Sequence, residues 1–570
     1  MRARRTSKGL TLRAIAGTHV VLLGIHLDKA LCPGLMGFAV HRTDHAEDEA
    51  YWLEGTKTFA ETDPGFPEGG RYGTHRHPIQ GFTWSDFSAK PGRRYTYRVV
   101  ALKGTPAALT PFRKVEVTVT TEAEAEGNHD VFFNRGAAAS QEYTRRFGKL
   151  ASLKSAPDDD PRWAWLSRGA AEGVIAFVNR ASGPGHGLRV AAYEFRWPAF
   201  ARALQAAQAR GVDVRIVYDG NNNPPDEHGL VFPRDENRAT ALAAQVNGFS
   251  SERITRSDVK DPPISHHKFV VHTVNGKARA VLTGSTNFSK GGVYGQSNVV
   301  HVVESKPVAA RYLACWDLIA ANPAPAALKA ALGQLNEPLA APLPQRGTAC
   351  LFSPQASDEA LEWYAALATQ ASAALFMTFA FGMNAQFKHA YQHGTASLRY
   401  ALLDKLIPSG TRKDKREAAI AEMTTLRKLV ENRFAVGNRI ETNAFDRWLR
   451  EKLTGLNSHV QFIHTKYMLV DPLSDDPIVI TGSANFSKAS TDENDENMLL
   501  IRGNTRVADV YLGEYMRLWN HYAFREWLAE RGAEAPISFR HLDTTSTWWK
   551  SYFGNSARSR QRAYFAGVPL

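Results

Sequence analysis

The chain has 570 residues, of which 44% are hydrophobic and 10% aromatic, a composition typical of a globular protein. This length excludes a single hydrophobic core and predicts two to four domains. The 69 Lys and Arg residues exceed the 57 Asp and Glu residues, and the resulting charge of +12 favours partners that carry phosphates, such as nucleic acid or an anionic membrane surface.

The three cysteines, Cys32, Cys315 and Cys350, are widely spaced and form no CxxC pair. This pattern suggests neither a disulfide framework nor a cysteine zinc site, and it favours a reducing compartment. The apolar run 20–25 near the N-terminus is short and ends at His26, so it predicts a strand and not a signal peptide. No stretch of eighteen apolar residues occurs, and we therefore expect a cytoplasmic protein without a transmembrane segment.

Residues 1–122 are predicted to form an all-β sandwich, because apolar and polar positions alternate in short runs that Gly and Pro separate. The turn Pro91-Gly92 and the Tyr-x-Tyr spacing that begins at Tyr95 resemble a fibronectin type III domain. A domain of this kind binds a further partner or acts as a spacer, and we assign it no chemistry. The candidate strands are residues 19–27, 35–41, 95–102 and 115–119.

The rest of the chain is predicted to contain two similar lobes, at residues 130–322 and 346–530. In each, a strand, a helix and a second strand precede the motif and a closing helix with aromatic residues, a pattern that predicts a sheet covered by helices. A helix is predicted at 163–177 in the first lobe, and strands are predicted at 374–379 and 398–403 in the second. An Ala- and Pro-rich segment, residues 323–345, is predicted to link the lobes, and residues 531–570 form a C-terminal extension. The repeat is too long for a solenoid and indicates a duplicated domain.

The motif of the second lobe combines His464, Lys466 and Asp471 with a Gly-Ser-x-Asn turn, Ser483 to Asn485, and then Glu496. The first lobe repeats most of this set. Its members there are His266, Lys268, Ser285 and Asn287, followed by Gln296 and Ser297. One His-x-Lys pair on a strand is common, but two copies that are each followed by Gly-Ser-x-Asn-Phe-Ser favour a catalytic pair.

Residues two apart on a strand share a face, so the His and Lys of each motif should lie side by side. A hairpin to the Gly-Ser-x-Asn turn would add the Ser and Asn side chains, and these donors suit a tetrahedral oxyanion such as phosphate. Two facing halves would place a histidine on each side of one phosphorus atom. One imidazole would attack and the other would protonate the leaving oxygen, with a phosphohistidine intermediate. No metal or cofactor is required, and the sequence offers no convincing metal site.

The second copy fits the pattern His-x-Lys-x4-Asp followed by Gly-Ser-x-Asn and Glu-Asn, which resembles the phospholipase D superfamily. The first copy is similar but incomplete, and the resemblance covers about residues 130 to 530. It implies an α/β fold with two phospholipase D-like α-β-α lobes packed as a pseudo-dimer behind the all-β sandwich. It also implies covalent phosphohistidine catalysis on a phosphodiester substrate.

The two copies differ in their carboxylates. Where the second copy has Asp471 the first has Thr273, and where the second has Glu496 the first is expected to have Gln296 or Ser297. A carboxylate behind an imidazole orients it and raises its basicity, which predicts that His464 is the better-supported histidine. Family precedent instead makes the first-copy histidine, His266, the nucleophile, and the two assignments stay open.

Three functions are compatible with this site, and a nuclease that hydrolyses DNA or RNA is favoured by the basic charge and the added sandwich. The alternative is a phospholipase D or phosphatidyltransferase, for which Trp548, Trp549, Tyr552 and Phe553 would form an interfacial patch unless they pack onto the second lobe. The third is a protein that binds phosphodiesters without cleaving them. Three arginines of the tail, Arg558, Arg560 and Arg562, form either a disordered end or a phosphate-contacting arm.

Overall fold

The structure is a computed structural model. It describes residues 1–64, 70–136, 140–147, 153, 156–219, 264–339, 343–408, 411–437, 462–531 and 541–570.

The N-terminal region is a sandwich of two four-stranded antiparallel sheets, with orders β1-β2-β3-β8 and β10-β9-β4-β5. Apolar residues of both sheets alternate inward and share one core, in which Tyr95 and Tyr97 are fully buried. The two-layer β arrangement agrees with the sequence prediction, whereas membership of the fibronectin type III class stays a prediction. The strands are β1 (Arg2–Ser7), β2 (Leu10–Ala16), β3 (Val21–Leu27), β4 (Leu35–Asp44), β5 (Glu49–Trp52), β6 (Glu54–Gly55), β7 (Tyr72–Gly73), β8 (Thr83–Asp86), β9 (Arg94–Thr105) and β10 (Ala108–Thr120).

The first lobe is built on a seven-stranded mixed sheet of order β11-β12-β17-β16-β15-β13-β14. Strands β13 and β14 are parallel and are joined by a helix, while β15 and β16 form the antiparallel hairpin expected for the motif. The strands are β11 (Ala125–Glu126), β12 (His129–Phe133), β13 (His186–Ala192), β14 (Asp213–Tyr218), β15 (Lys268–Val274), β16 (Lys277–Gly284) and β17 (Val299–Val303).

The second lobe repeats this topology in the order β18-β24-β23-β22-β19-β20-β21. Its β19 and β20 are parallel, and its β22 and β23 form the matching hairpin. The predicted duplicated α/β fold is therefore confirmed. The strands are β18 (Gly347–Ser353), β19 (Ala374–Phe379), β20 (Leu398–Leu403), β21 (Asn432–Val436), β22 (Tyr467–Val470), β23 (Ile478–Gly482) and β24 (Glu496–Arg502).

Helices cover both sheets, and two of them differ from the sequence prediction. The helix expected at 163–177 is broken where Arg168 and Gly169 adopt left-handed backbone conformations. The predicted linker contains a helix, because Pro325 occupies its first turn and an Ala-rich run follows. The α-helices are Ser140–Phe147, Pro161–Ser167, Ala170–Asn179, Pro198–Ala209, Lys306–Ala320, Pro325–Leu335, Glu359–Gln370, Ala385–His393, Lys413–Lys428, Lys488–Asp492, Thr505–Arg531 and Ala557–Ala566.

The two lobes share one hydrophobic core, which explains why they pack as a pseudo-dimer. The closing helices Lys306–Ala320 and Thr505–Arg531 lie in this core together with inward residues of both sheets. Tyr511, for example, contacts Phe133 of the first lobe and Tyr467 of the second with edge-to-face ring geometry. The lobes are thereby held in a fixed relative orientation, which positions the residues that meet between them.

The C-terminal extension packs against the sandwich and the second lobe. Trp548, Tyr552 and Phe553 surround Phe82, with ring centroids 5.6, 5.1 and 5.7 Å away, so the aromatic cluster is an internal contact and not an interfacial patch. The arginine-rich tail is a helix, Ala557–Ala566, and not a disordered end. Within the parts of the chain that the structure describes, no helix is long and apolar enough to cross a bilayer.

Candidate active site

The two histidines of the motifs lie next to each other between the lobes. His266 and His464 each stand just before a strand, β15 or β22, and their ring centroids are 6.4 Å apart at an angle of 76°. Both side chains are almost completely buried. Backbone hydrogen bonds across the interface fix them: His266 N–H donates to the Asp495 carbonyl at 3.0 Å, and His464 N–H donates to the Ser297 carbonyl at 3.2 Å.

Each histidine is supported by a residue of the opposite lobe. The Nδ1 atom of His266 lies 2.9 and 2.8 Å from the two carboxylate oxygens of Glu496. The Nδ1 atom of His464 lies 2.9 Å from Oδ1 of Asn298. Because both partners accept, each Nδ1 carries the proton and each Nε2 is available for reaction.

The amide of Asn298 has a fixed orientation. Its Oδ1 also accepts a hydrogen bond from the Ser285 hydroxyl at 2.8 Å, and its Nδ2 donates to the Gly292 carbonyl at 2.8 Å. These two bonds assign the oxygen to the side that faces His464. His464 is therefore backed by a neutral acceptor, and His266 by a carboxylate.

This arrangement corrects two sequence predictions. Glu496 supports His266 and not His464, so the expectation that His464 is the better-supported histidine is wrong. The first-lobe counterpart of Glu496 is Asn298, and not Gln296 or Ser297. Glu496 and Asn298 each follow the Ser of their Gly-Ser turn by thirteen residues, a spacing that the sequence displays and that could have identified Asn298.

Two predicted supporting residues stabilise nearby loops. The Asp471 carboxylate accepts backbone N–H bonds from Ser372, Ala373 and Ala374 at 2.7 to 2.9 Å, so it holds the entrance to β19 and does not back His464. The backbone carbonyl of Gln296 accepts a hydrogen bond from Asn134 Nδ2 at 2.7 Å. Gln296 stands two residues before Asn298, which is the residue that contacts His464.

The two lysines bring positive charge into the buried site. Lys268 Nζ donates to the carbonyl of His266, and Lys466 Nζ donates to that of His464, each at 2.6 Å. Burial lowers the pKa of Lys268 to about 7, and it lowers the pKa of Lys466 well below its usual value, with the nearby Lys268 charge as the next cause. A bound anion would relieve this cost, which is the behaviour expected of an oxyanion site.

The serines and asparagines of the two turns have different roles. Ser285 and Ser483 accept hydrogen bonds from the backbone N–H of Val299 and Asn497, at 3.1 and 3.0 Å, and so brace the strands that carry Asn298 and Glu496. The Oδ1 atoms of Asn287 and Asn485 are buried and make no hydrogen bond to any residue that the structure describes. Each of these two oxygens can accept a hydrogen bond from a ligand.

The glycine of each turn allows these strands to approach. A Cβ atom on Gly284 would lie 2.3 Å from the Val299 carbonyl oxygen, and one on Gly482 would lie 2.1 Å from that of Asn497. Because no other residue fits there, the Gly-Ser pair is required to bring the backing strand beside the histidines.

A pair of buried carboxylates, Asp219 and Asp404, was not identified from the sequence. They follow equivalent strands, β14 and β20, and accept backbone N–H bonds from the residues that lead into the motifs. Asp219 accepts from Ser265 at 3.3 Å, and Asp404 accepts from Phe462 and Ile463 at 3.2 and 3.0 Å. After Glu496 and Glu194, the charge of Asp219 partly opposes the lowering of the Lys268 pKa by burial. After Glu496, the charge of Asp404 does the same for the pKa of Lys466.

The imidazoles of His266 and His464 both have lowered pKa values. Burial lowers the pKa of both His266 and His464 well below its usual value, and the charges of Lys268 and Lys466 lower it further. Burial also raises the pKa of Glu496, against the opposing effect of Lys268. Both rings are therefore mainly neutral in the free protein, and a phosphate between them would favour the protonated form of one ring.

A family model matches two segments of the chain. Residues 174–316 and 407–519 match a family model described as "Cardiolipin synthase, PLD-like domain". No curated protein is significantly similar to the chain in sequence.

Several solved structures resemble parts of the chain. Phosphatidylserine synthase from Haemophilus influenzae is 13% identical, with 71% of this chain and 94% of that chain covered and a TM-score of 0.39. The phospholipase D family member Nuc from Salmonella typhimurium is 30% identical over 26% of this chain and 84% of that chain, with a TM-score of 0.18. Polyphosphate kinase from Porphyromonas gingivalis is 12% identical, with a TM-score of 0.35, and the match covers 62% of this chain and half the length of the kinase.

The two matched segments lie within the two lobes and contain both His-x-Lys motifs, both Gly-Ser turns and the two backing residues. The chain therefore carries a phospholipase D-like domain, and it is a phosphodiester-acting enzyme.

Proposed function

We propose that the protein hydrolyses nucleic-acid phosphodiesters through a phosphohistidine intermediate, without a metal ion. This chemistry rests on the pair of buried histidines, His266 and His464, whose ring centroids are 6.4 Å apart. The Nδ1 atom of each ring is hydrogen-bonded to an acceptor of the opposite lobe. This leaves two Nε2 atoms for one phosphorus. Lys268 and Lys466, with the amides of Asn287 and Asn485, would stabilise the non-bridging oxygens.

His266 is the proposed nucleophile. As its Nε2 atom attacks phosphorus, the ring becomes cationic, and the carboxylate of Glu496 on Nδ1 stabilises that charge. The N–P bond forms while the bond from phosphorus to the leaving oxygen breaks. This assignment agrees with family precedent and reverses the expectation that rested on Asp471.

His464 is the proposed general acid and base. Its protonated Nε2 would donate to the leaving oxygen, and the neutral ring would then accept a proton from the water that attacks the phosphohistidine. That second attack breaks the N–P bond and releases a phosphomonoester and free His266. Asn298 fixes the tautomer of His464 without a negative charge, so the ring gives up its proton more readily than a carboxylate-backed histidine would.

Two features favour nucleic acid as the substrate. The charge of +12 favours a polyanion. The aromatic residues that would have formed a membrane-facing patch are used in the contact with Phe82, which removes the main support for a lipid substrate.

The test is to incubate the protein with plasmid DNA, single-stranded DNA, RNA and phospholipid vesicles, each with and without EDTA. We expect cleavage of at least one nucleic acid in EDTA, and loss of that activity in His266→Ala. His389→Ala is the matched control, because His389 is an exposed histidine on the surface of the helix Ala385–His393. Headgroup release from vesicles with intact nucleic acid would establish the lipid alternative, and tight binding without cleavage would establish a binding protein.

A further inference from the structure

A second cavity, of about 580 Å³, lies between the sandwich and the C-terminal extension. Its walls come from the end of β3 and from the segment that follows Tyr552. They include His26, Asp28, Lys29, Phe553, Arg560 and Arg562. This volume falls within the range of small-molecule sites.

Arg562 is the most unusual residue of the cavity wall. It is only 2% exposed, and its Nε donates to the Tyr552 carbonyl at 2.9 Å while Nη1 donates to Nδ1 of His26. The guanidinium also lies over the ring of Phe553, 4.5 Å from its centroid. Two of its five N–H groups thus have an acceptor, and no carboxylate among the described residues pairs with it. A buried cation without a counterion is costly, which indicates an anion that the protein itself does not supply.

The wall also holds two more basic side chains and one acidic side chain. Lys29 is exposed and has no ion-pair partner in the described parts of the chain. Arg560 is paired with Glu431 at 3.1 Å, and its Nε is buried without a hydrogen-bond partner. The carboxylate of Asp28 faces Nε2 of His26 at 3.4 Å.

The cavity is separate from the catalytic centre. Arg560 donates to the carbonyl of Ser397, directly before β20, whereas Asp404, which supports the catalytic segment, directly follows that strand. A strand of this length places the two sites about 20 Å apart. One phosphate cannot contact both.

We propose that this cavity binds a phosphate group, either free or carried on a small organic molecule. Arg562 and Lys29 would supply the cationic donors, with Arg560 beside them. The volume exceeds that of a phosphate ion, so a phosphate ester also fits. The proposal is independent of the nucleic-acid substrate proposed for the catalytic centre.

Equilibrium dialysis with radiolabelled inorganic phosphate tests this proposal. We expect two phosphates per chain, one in each site. Lys29→Glu should weaken phosphate binding at one of the two sites by about tenfold, because one charge-assisted hydrogen bond and one cation are lost. Lys306→Glu is the matched control, because Lys306 is an exposed lysine of the first lobe, and it should weaken neither.

Further measurements keep the two sites distinguishable. If the catalytic centre binds no phosphate, one phosphate per chain should remain and should still respond to Lys29→Glu. Arg562→Gln should have the same effect as Lys29→Glu, with its thermal unfolding measured to establish that the variant folds. Competition by a nucleoside monophosphate stronger than by phosphate would identify an ester as the ligand. Phosphate binding that responds to neither substitution, or none at all, would overturn the proposal.

Discussion

Replacing Glu496 with glutamine tests the assignment of roles to the two histidines. In the protein both Glu496 oxygens lie within 2.9 Å of His266 Nδ1, and the Glu496 side chain is completely buried. The substitution keeps the shape and removes the charge, so the first half-site would become amide-backed like the second. A charge-assisted hydrogen bond contributes about 1.5–3 kcal/mol and a neutral one about 0.5–1.5 kcal/mol. The difference, about 1–2 kcal/mol, corresponds to a rate loss of about 5- to 30-fold.

The assay is single-turnover cleavage with rapid chemical quench, which separates formation of the phosphorylated enzyme from its hydrolysis. Glu496→Gln should slow formation by this factor, with a smaller effect on substrate binding. Asp471→Asn is the control, because Asp471 was the carboxylate expected from the motif and lies away from His464. A Glu496→Gln enzyme within twofold of the wild type, combined with a large loss in Asp471→Asn, would refute the cross-lobe assignment.

Three further predictions concern neighbouring groups. Burial lowers the pKa of His464 well below its usual 6.5, so the protonated imidazole is lost as pH rises. Because this form is the proposed general acid, kcat/KM should fall from mildly acidic toward alkaline pH. A kcat/KM profile that rises over this range would contradict the general-acid role. Asp404→Asn keeps a hydrogen-bond acceptor for the backbone N–H groups of Phe462 and Ile463 but removes the negative charge near Lys466. We therefore expect kcat/KM to fall about tenfold with little change in Tm. A large loss of Tm with normal kcat/KM would indicate a purely structural role for Asp404. Asp471→Ala removes the acceptor of three backbone N–H groups. It should lower the free energy of unfolding by about 1–2 kcal/mol in a urea titration, while kcat stays within twofold of the wild type. A large loss of kcat would instead support the role that the motif predicted for Asp471, behind His464.

Much of the fold follows from the sequence because local pattern determines it. The strands at 374–379 and 398–403 match the prediction, since each is a short apolar run. The helix inside the predicted linker was missed because Pro was interpreted as a breaker, although Pro is favoured in the first helical turn.

The pairing within the site depends on contacts between lobes, which spacing along one copy does not reveal. The sequence places Glu496 after His464, but the fold turns its side chain to His266 in the other lobe. Asp219 and Asp404 belong to no sequence motif. They are recognised as a pair only when the ends of the equivalent strands β14 and β20 are compared. Asn298 is the one member of the site that spacing could have identified, because it follows its Gly-Ser turn by the same number of residues as Glu496 does.

Trapping the covalent intermediate tests the central claim most directly. A labelled substrate is mixed with wild-type protein, quenched under alkaline conditions that preserve phosphohistidine, and digested for mass spectrometry. We predict a phosphoryl adduct on His266, its absence in His266→Ala, and its accumulation in His464→Ala with a substrate whose leaving group needs no protonation. An adduct on His464, or full turnover in His266→Ala, would contradict the account.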